Sequence, residues 1–133
     1  AMALGAAGVQ VGTAYLCSDE AFTSPLHRAA LQSEAARHTA LTNLFTGRPA
    51  RGIVNRLMRE LGNADAEHFS TGLGAVAPAF PLATNAIGPL RAAAEKAGRT
   101  DFTPLWSGQN ASGCRTGSAT EITQALARGF DKG

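Results

Sequence analysis

Apolar residues recur three and four positions apart in several stretches of this chain and alternate with polar ones in a few shorter stretches, the periods of helix and strand respectively. Ile53, Val54, Leu57, Met58 and Leu61 keep helical spacing, which predicts a helix from about Ala50 to Leu61, closed by Gly62 and Asn63. Ile87, Leu90, Ala93, Ala94 and Ala97 do the same. They predict a helix over residues 85–97, capped by Thr84 or Asn85, stopped at Gly98, its first regular turn delayed by Gly88 and Pro89. Ser24 and Pro25 set an N-cap before a proline whose missing N–H costs nothing in a first turn, so Leu26, Ala29, Ala30 and Ala36 read as one helix to about Arg37. Ser118 and Glu121 make a capping box ahead of a last helix carrying Ile122, Ala125, Leu126 and Phe130.

The period of two is rarer. Residues 39–45 interleave Thr with apolar side chains between a helix and the turn residues Gly47 and Pro49, which predicts a strand followed by a turn over residues 46–51. Val9 and Val11 are a shorter β-branched run that ends at Gly12 and Thr13, where the chain turns helical at Ala14, Tyr15 and Leu16. Residues 17–24 and 63–83 follow neither period. The second stretch, with Gly72, Gly74, Pro78 and Pro81, is long enough to be a lid or a linker between two parts of one fold.

Helices alternating with short strands place the chain in the α/β class, and 44% hydrophobic with 17% charged residues over 133 positions is a globular composition. Twelve basic against ten acidic residues, net +2, are spread without a cluster that could track a phosphate backbone, so nucleic acid is not an expected partner. No run of about 18 apolar residues offers a membrane span, and the Ala/Gly-rich start lacks the basic region of a signal peptide. Cys17 and Cys114 lie far apart in sequence without metal-ligand spacing, and read as reduced thiols of a cytoplasmic protein.

One turn carries candidate chemistry. Gly12 and Thr13 end a short strand where bare backbone N–H groups, at the start of a helical turn, can face an anion such as a phosphate. Elsewhere there is no G-x-S-x-G elbow or Walker loop, and adjacent Asp19 and Glu20 point apart, a poor acid–base pair. His27, His38 and His68 sit in contexts that suit surface or structural roles, and Tyr15 and Trp106 read as core aromatics rather than cofactor stacks.

The segment G-A-A-G-V-Q-V-G-T-A-Y-L from Gly5 to Leu16 resembles a motif of the nitronate monooxygenase family, formerly 2-nitropropane dioxygenases. F-T-G-R-P-A-R-G-I-x-N from Phe45 to Asn55 and L-W-S-G-Q-N-A from Leu105 to Ala111 resemble it too, in the same order, so the likeness covers roughly residues 3–130. Asn110 stands where the family usually has Gly.

The resemblance implies an FMN-dependent (β/α)8 (TIM) barrel with a small α/β domain inserted after the phosphate-binding strand, of which this chain holds the C-terminal part. It assigns Gln10, Val11, Gly12 and Thr13 to the FMN phosphate. Residues 1–18 become a late barrel strand and its turn, 19–83 the inserted domain, and 84–133 the return to the barrel. The implied reaction takes a small-molecule nitronate and dioxygen. The family's catalytic histidine lies upstream of the opening motif, so no catalytic residue is assigned, and Arg48 and Arg51 fit turn packing better than substrate contact. A complete barrel takes about 250 residues, which leaves a complementing N-terminal half, or a second copy, as expected partners. Alternatives are a flavin-dependent enoyl-ACP reductase relative, an inactive folded fragment that oligomerises, and a small FMN or nucleotide-phosphate binding module. The T-G-R-P-A-R and L-W-S-G-Q segments favour the nitronate enzymes.

Overall fold

The computed structural model describes residues 1–61 and 77–130, and its centre is an antiparallel hairpin. Strand β1, Thr39–Thr42, pairs with β2, Ala50–Ile53, in a register that sets Thr39 opposite Ile53 and Thr42 opposite Ala50. β1 is the expected strand, ending earlier than Phe45. β2 lies where a turn and the first part of a helix were expected. Pairing with β1 overrides the helical spacing there, and Ile53 is buried as a strand residue.

Helix α2 therefore begins late, spanning Arg56–Leu61. Its start is fixed by buried Asn55, whose Oδ1 accepts the Met58 N–H at 3.3 Å while Nδ2 donates to the Thr100 and Thr103 carbonyls at 3.0 and 2.9 Å. The expected stop at Gly62 and Asn63, His68, and most of the 63–83 stretch fall outside the described residues.

A third segment lines the other edge of β2. The Ile53 N–H donates to the Leu105 carbonyl at 2.8 Å, the Ser107 N–H donates to the Arg51 carbonyl at 3.2 Å, and Gly52 forms an antiparallel bridge with Trp106. Close approach explains the glycine: a Cβ on Gly52 would lie 3.0 Å from the Leu105 carbonyl oxygen. At the hairpin tip, Gly47 takes φ +87°, a left-handed conformation that suits glycine.

Helix α1, Pro25–Leu31, is capped as expected, the Ser24 hydroxyl accepting the His27 N–H at 3.3 Å. It does not reach Arg37. Ser33 turns extended and its hydroxyl donates to the Ala30 carbonyl at 2.8 Å, after which Glu34–Arg37 form a separate 3₁₀ turn. Helix α3, Leu82–Lys96, starts before Thr84, whose hydroxyl is used to donate to the Phe45 carbonyl at 3.0 Å instead of capping. Its end is a Schellman motif: Gly98, φ +70°, donates to the Glu95 carbonyl at 3.0 Å and Arg99 to the Ala94 carbonyl at 2.9 Å. Helix α4, Ala119–Ala127, has both hydrogen bonds of the capping box, Glu121 N–H to Ser118 Oγ at 3.2 Å and Ser118 N–H to Glu121 Oε2 at 2.9 Å.

The short strand expected at Val9 and Val11 does not form. A strand needs a neighbour for its backbone groups, and nothing among the described residues pairs with this stretch.

The hairpin separates two apolar clusters. Cys17, Leu31, Ala36, Ile53, Leu105 and Ala111 make one, on the side of α1 and the opening turn. Ala40, Leu44, Phe45, Leu57 and Met58 make the other, with Ile87, Phe102 and Trp106 packed on it. Among the described residues no helix is long and apolar enough to cross a membrane.

Candidate functional site

The expected anion site is the turn where Gly12 leads into the 3₁₀ helix Thr13–Cys17. Gly12 has ordinary backbone angles, φ −112° and ψ −52°, and a Cβ placed on it would meet nothing within 4 Å, so the turn is open above it. The Tyr15 N–H donates to the Gly12 carbonyl at 3.1 Å. The first N–H groups of a helical turn have no acceptor within it, and here they belong to Thr13 and Ala14. Gln10 and Gly12 are exposed, Val11 and Thr13 half-buried.

Thr13 does more than line this turn. Its Oγ1 accepts the Gly108 N–H at 2.8 Å, which sets the Leu105–Ala111 stretch beside the Gln10 to Thr13 stretch. The hydroxyl thus accepts a bond from protein. Further bonds tie the residues just after this turn to residues 117–123. Tyr15 and Thr123 share a hydroxyl hydrogen bond of 2.7 Å, Ser18 bridges Gly117 in parallel, and the Glu20 carboxylate accepts the Ala119 N–H at 2.8 Å. Tyr15 is accordingly a packing residue, and Asp19 and Glu20 do not act together.

Ala14 opens onto a cleft of about 440 Å³ whose charged lining is Arg115, Arg128 and Glu121. Two guanidinium groups against one carboxylate leave it positive. Hydrogen bonds from the Ser118 N–H and hydroxyl hold the Glu121 carboxyl below the usual range, so it stays ionised.

A second cleft, about 430 Å³, lies between α3 and the Phe45–Trp106 pair, whose rings meet edge to face at 5.7 Å. Its charged residues are already matched. Glu95 accepts from Arg91 Nε at 2.7 Å and from the Thr103 hydroxyl at 2.9 Å, and these bonds keep its carboxyl below the ordinary value.

Two of the three histidines, His27 and His38, lie among the described residues. His27 Nε2 donates to the Trp106 carbonyl at 3.0 Å, a role that needs the Nε2–H tautomer, and half-burial pushes its pKa below the ordinary value. His38 is exposed, and its backbone carbonyl accepts the Val54 N–H at 2.9 Å. Arg51 donates to the Thr39 carbonyl at 3.2 Å, and Arg48 stacks over the Phe80 ring at 4.4 Å, so both hold the hairpin. Asn110 makes an Asx turn, its Oδ1 accepting the Ser112 N–H at 2.9 Å. No group of three metal-ligating side chains exists among the described residues.

Sequence reasoning missed Gly108 as the partner of Thr13, and Asn55 as the peg between α2 and residues 100–103. The only hint was that both fall in segments already singled out as motifs. It also missed that Cys17, fully buried, and Cys114 share one apolar cluster.

A protein-family model described as nitronate monooxygenase matches residues 1–129. A probable nitronate monooxygenase of Staphylococcus saprophyticus is 38% identical over 109 residues, which cover 82% of this chain and 28% of that protein. A nitronate monooxygenase of Pseudomonas aeruginosa is 34% identical over 128 residues, 95% of this chain and 34% of the relative. Among solved structures, a nitroalkane oxidase from Streptomyces ansochromogenes matches with a TM-score of 0.77 at 37% identity, over 98% of this chain and 35% of that one. The chain thus spans about a third of the length of the proteins it matches.

Proposed function

The chain belongs to the nitronate monooxygenase family, and from that premise we propose that it carries the flavin-phosphate end of an FMN-dependent enzyme that oxidises small alkyl nitronates with dioxygen. FMN, when bound, supplies the redox chemistry. The residues of this chain bind and orient its phosphate. Thr13 and Ala14 donate backbone N–H groups, Gly12 admits the phosphate without a side chain in the way, and Gln10 and Val11 complete the turn. Arg115 and Arg128 add a positive field from the neighbouring cleft. The observation that carries the reading is the Thr13 to Gly108 hydrogen bond, which joins two of the family-like segments in one place.

The same reading makes residues 1–18 and 84–133 the barrel side of a TIM-barrel fold and 19–83 the inserted domain, with Leu105 to Ser107 reaching across to β2. The base belongs to the family's upstream histidine motif and is not proposed within this chain. A cytoplasmic location goes with this reading. Ala1 to Ala3, Val9, Val11, Leu126 and Phe130 line an apolar recess of about 360 Å³. It is the face on which the rest of the family fold, or a second copy, would pack. The F-T-G-R-P-A-R segment, built into the hairpin, favours nitronate over the enoyl thioester of the related reductases.

The test is a visible absorption spectrum after incubation with FMN and removal of the excess, with Gly12→Asp alongside. That variant has room for its side chain and an ordinary φ, so it changes the charge at the turn and not the fold. Flavin retained by the parent and lost by Gly12→Asp supports the phosphate assignment. Equal retention overturns it. No retention by either sinks the claim that this length of chain binds FMN unaided. Turnover of a nitronate against an enoyl thioester then separates the two reactions.

A further inference from the structure

Cys17 closes the Thr13–Cys17 turn and is fully buried, while Cys114 is partly exposed at the end of a tight turn in which its N–H donates to the Ala111 carbonyl at 3.0 Å. Cys114 packs on the apolar cluster that holds Cys17, Ile53, Leu105 and Ala111. The backbones of the two cysteine segments are held side by side just beyond. Ser18 bridges Gly117 in parallel, and the Asp19 N–H donates to the Gly117 carbonyl at 2.9 Å. Cys17 lies one residue before that bridge and Cys114 three residues before it, and a disulfide between them needs Cα atoms about 4.4–6.8 Å apart.

We propose that Cys17 and Cys114 are a redox modification site, closed to an intramolecular disulfide by a hydroperoxide and reopened by thiols. The exposed partner reacts first. The Cys114 sulfur attacks the terminal oxygen of the hydroperoxide, the O–O bond breaks, and Cys114 becomes a sulfenic acid as an alcohol, or water, leaves. The Cys17 sulfur then attacks the Cys114 sulfur, the S–S bond forms, the S–O bond breaks, and water departs with the Cys17 proton. Two thiols lose two electrons and two protons, and the hydroperoxide is reduced to alcohol and water. Burial and the nearby Cys17 thiol hold the Cys114 pKa above its ordinary value, so thiolate is scarce at neutral pH and the oxidation is slow. The bond would clamp the Thr13–Cys17 turn to the segment that follows Gln109 and Asn110. The inference does not rest on flavin binding.

Hydrogen peroxide is added to the reduced, folded chain, free thiols are blocked, and a tryptic digest is weighed. The expected product joins peptide 1–28 to peptide 100–115 with the loss of two hydrogens, and dithiothreitol separates them. In Cys17→Ala the same treatment leaves a sulfenic acid on Cys114 that dimedone traps. In Cys114→Ser, the second variant, Cys17 stays reduced. The proposal is overturned if both thiols of the parent remain alkylatable, if Cys114 runs on to sulfinic acid with Cys17 still reduced, or if the link forms only between molecules or only in urea.

Discussion

Gly47 combines a positive φ with close backbone neighbours. Its φ of +87° disfavours any side chain, and a Cβ there would crowd the Pro78 carbonyl oxygen at 2.6 Å and the Phe80 amide nitrogen. Left-handed strain and overpacking each cost about 1–3 kcal/mol, so Gly47→Ala should shift the urea midpoint strongly. Gly12→Ala, with open space and negative φ, should stay within about 0.5 kcal/mol of the parent. Asn55→Ala removes the partners of the Met58 N–H and of the Thr100 and Thr103 carbonyls in a buried place. Leaving such groups unpaired costs about 1–3 kcal/mol, to be read in the same denaturation series. Cys114 carries a pH prediction. Its thiol is pushed above the ordinary value by burial first and by Cys17 second, so iodoacetamide should label it with a midpoint above that of a free thiol, about 8.5. A midpoint at or below that figure would contradict the buried setting. At this scale the sequence showed residue types and not partners. Arg51 and His27 could be judged structural from context, whereas the Thr13 to Gly108 bond joins positions that no local pattern connects.

Elements were legible where local signals stood alone. α3 stops where Gly98 was read to stop it but begins at Leu82, ahead of the expected cap and with Gly88 and Pro89 inside it, while α4 ends at Ala127, short of Phe130, and its Ser118 to Glu121 box is formed as read. Because hydrogen bonds from Ser118 hold the Glu121 carboxyl low, its contribution is present above the unfolded pKa and fades as pH falls through the lower folded one. Glu121→Gln should therefore be less stable than the parent at neutral pH, with the gap closing in acid, as followed by helix circular dichroism. A gap that persists below the carboxylate range would mean the box acts through shape alone. Elements were misread where pairing or competition decided. Ile53 and Val54 fit a helix by period, yet the β1 partner takes residues 50–53, and the Ser33 hydroxyl breaks the run that would have joined α1 to the next turn. Val9 and Val11 had strand composition and no pairing neighbour among the described residues.

Across the whole molecule, the order of three motif segments was visible in the sequence, but their meeting was not, because such contacts close long loops that leave no periodic trace. Thr13→Val tests whether that meeting matters. It should leave the hairpin core folded, speed hydrogen exchange at the Gly108 amide, and lower FMN retention. Unchanged retention would detach the Leu105 to Ala111 segment from the cofactor turn. Size-exclusion chromatography tests the apolar recess of Val9, Val11, Leu126 and Phe130, which should draw copies together at high concentration, and a clean monomer would argue that this face stays solvated. The ladder on β2 has one more consequence. Its outer edge is covered by Leu105 to Ser107, supplied about 50 residues after the hairpin. At ribosomal speeds of about 10 residues per second, a nascent chain would expose that edge for roughly 5 s before its cover is made, a window in which a chaperone, or a neighbouring nascent chain, can reach it first.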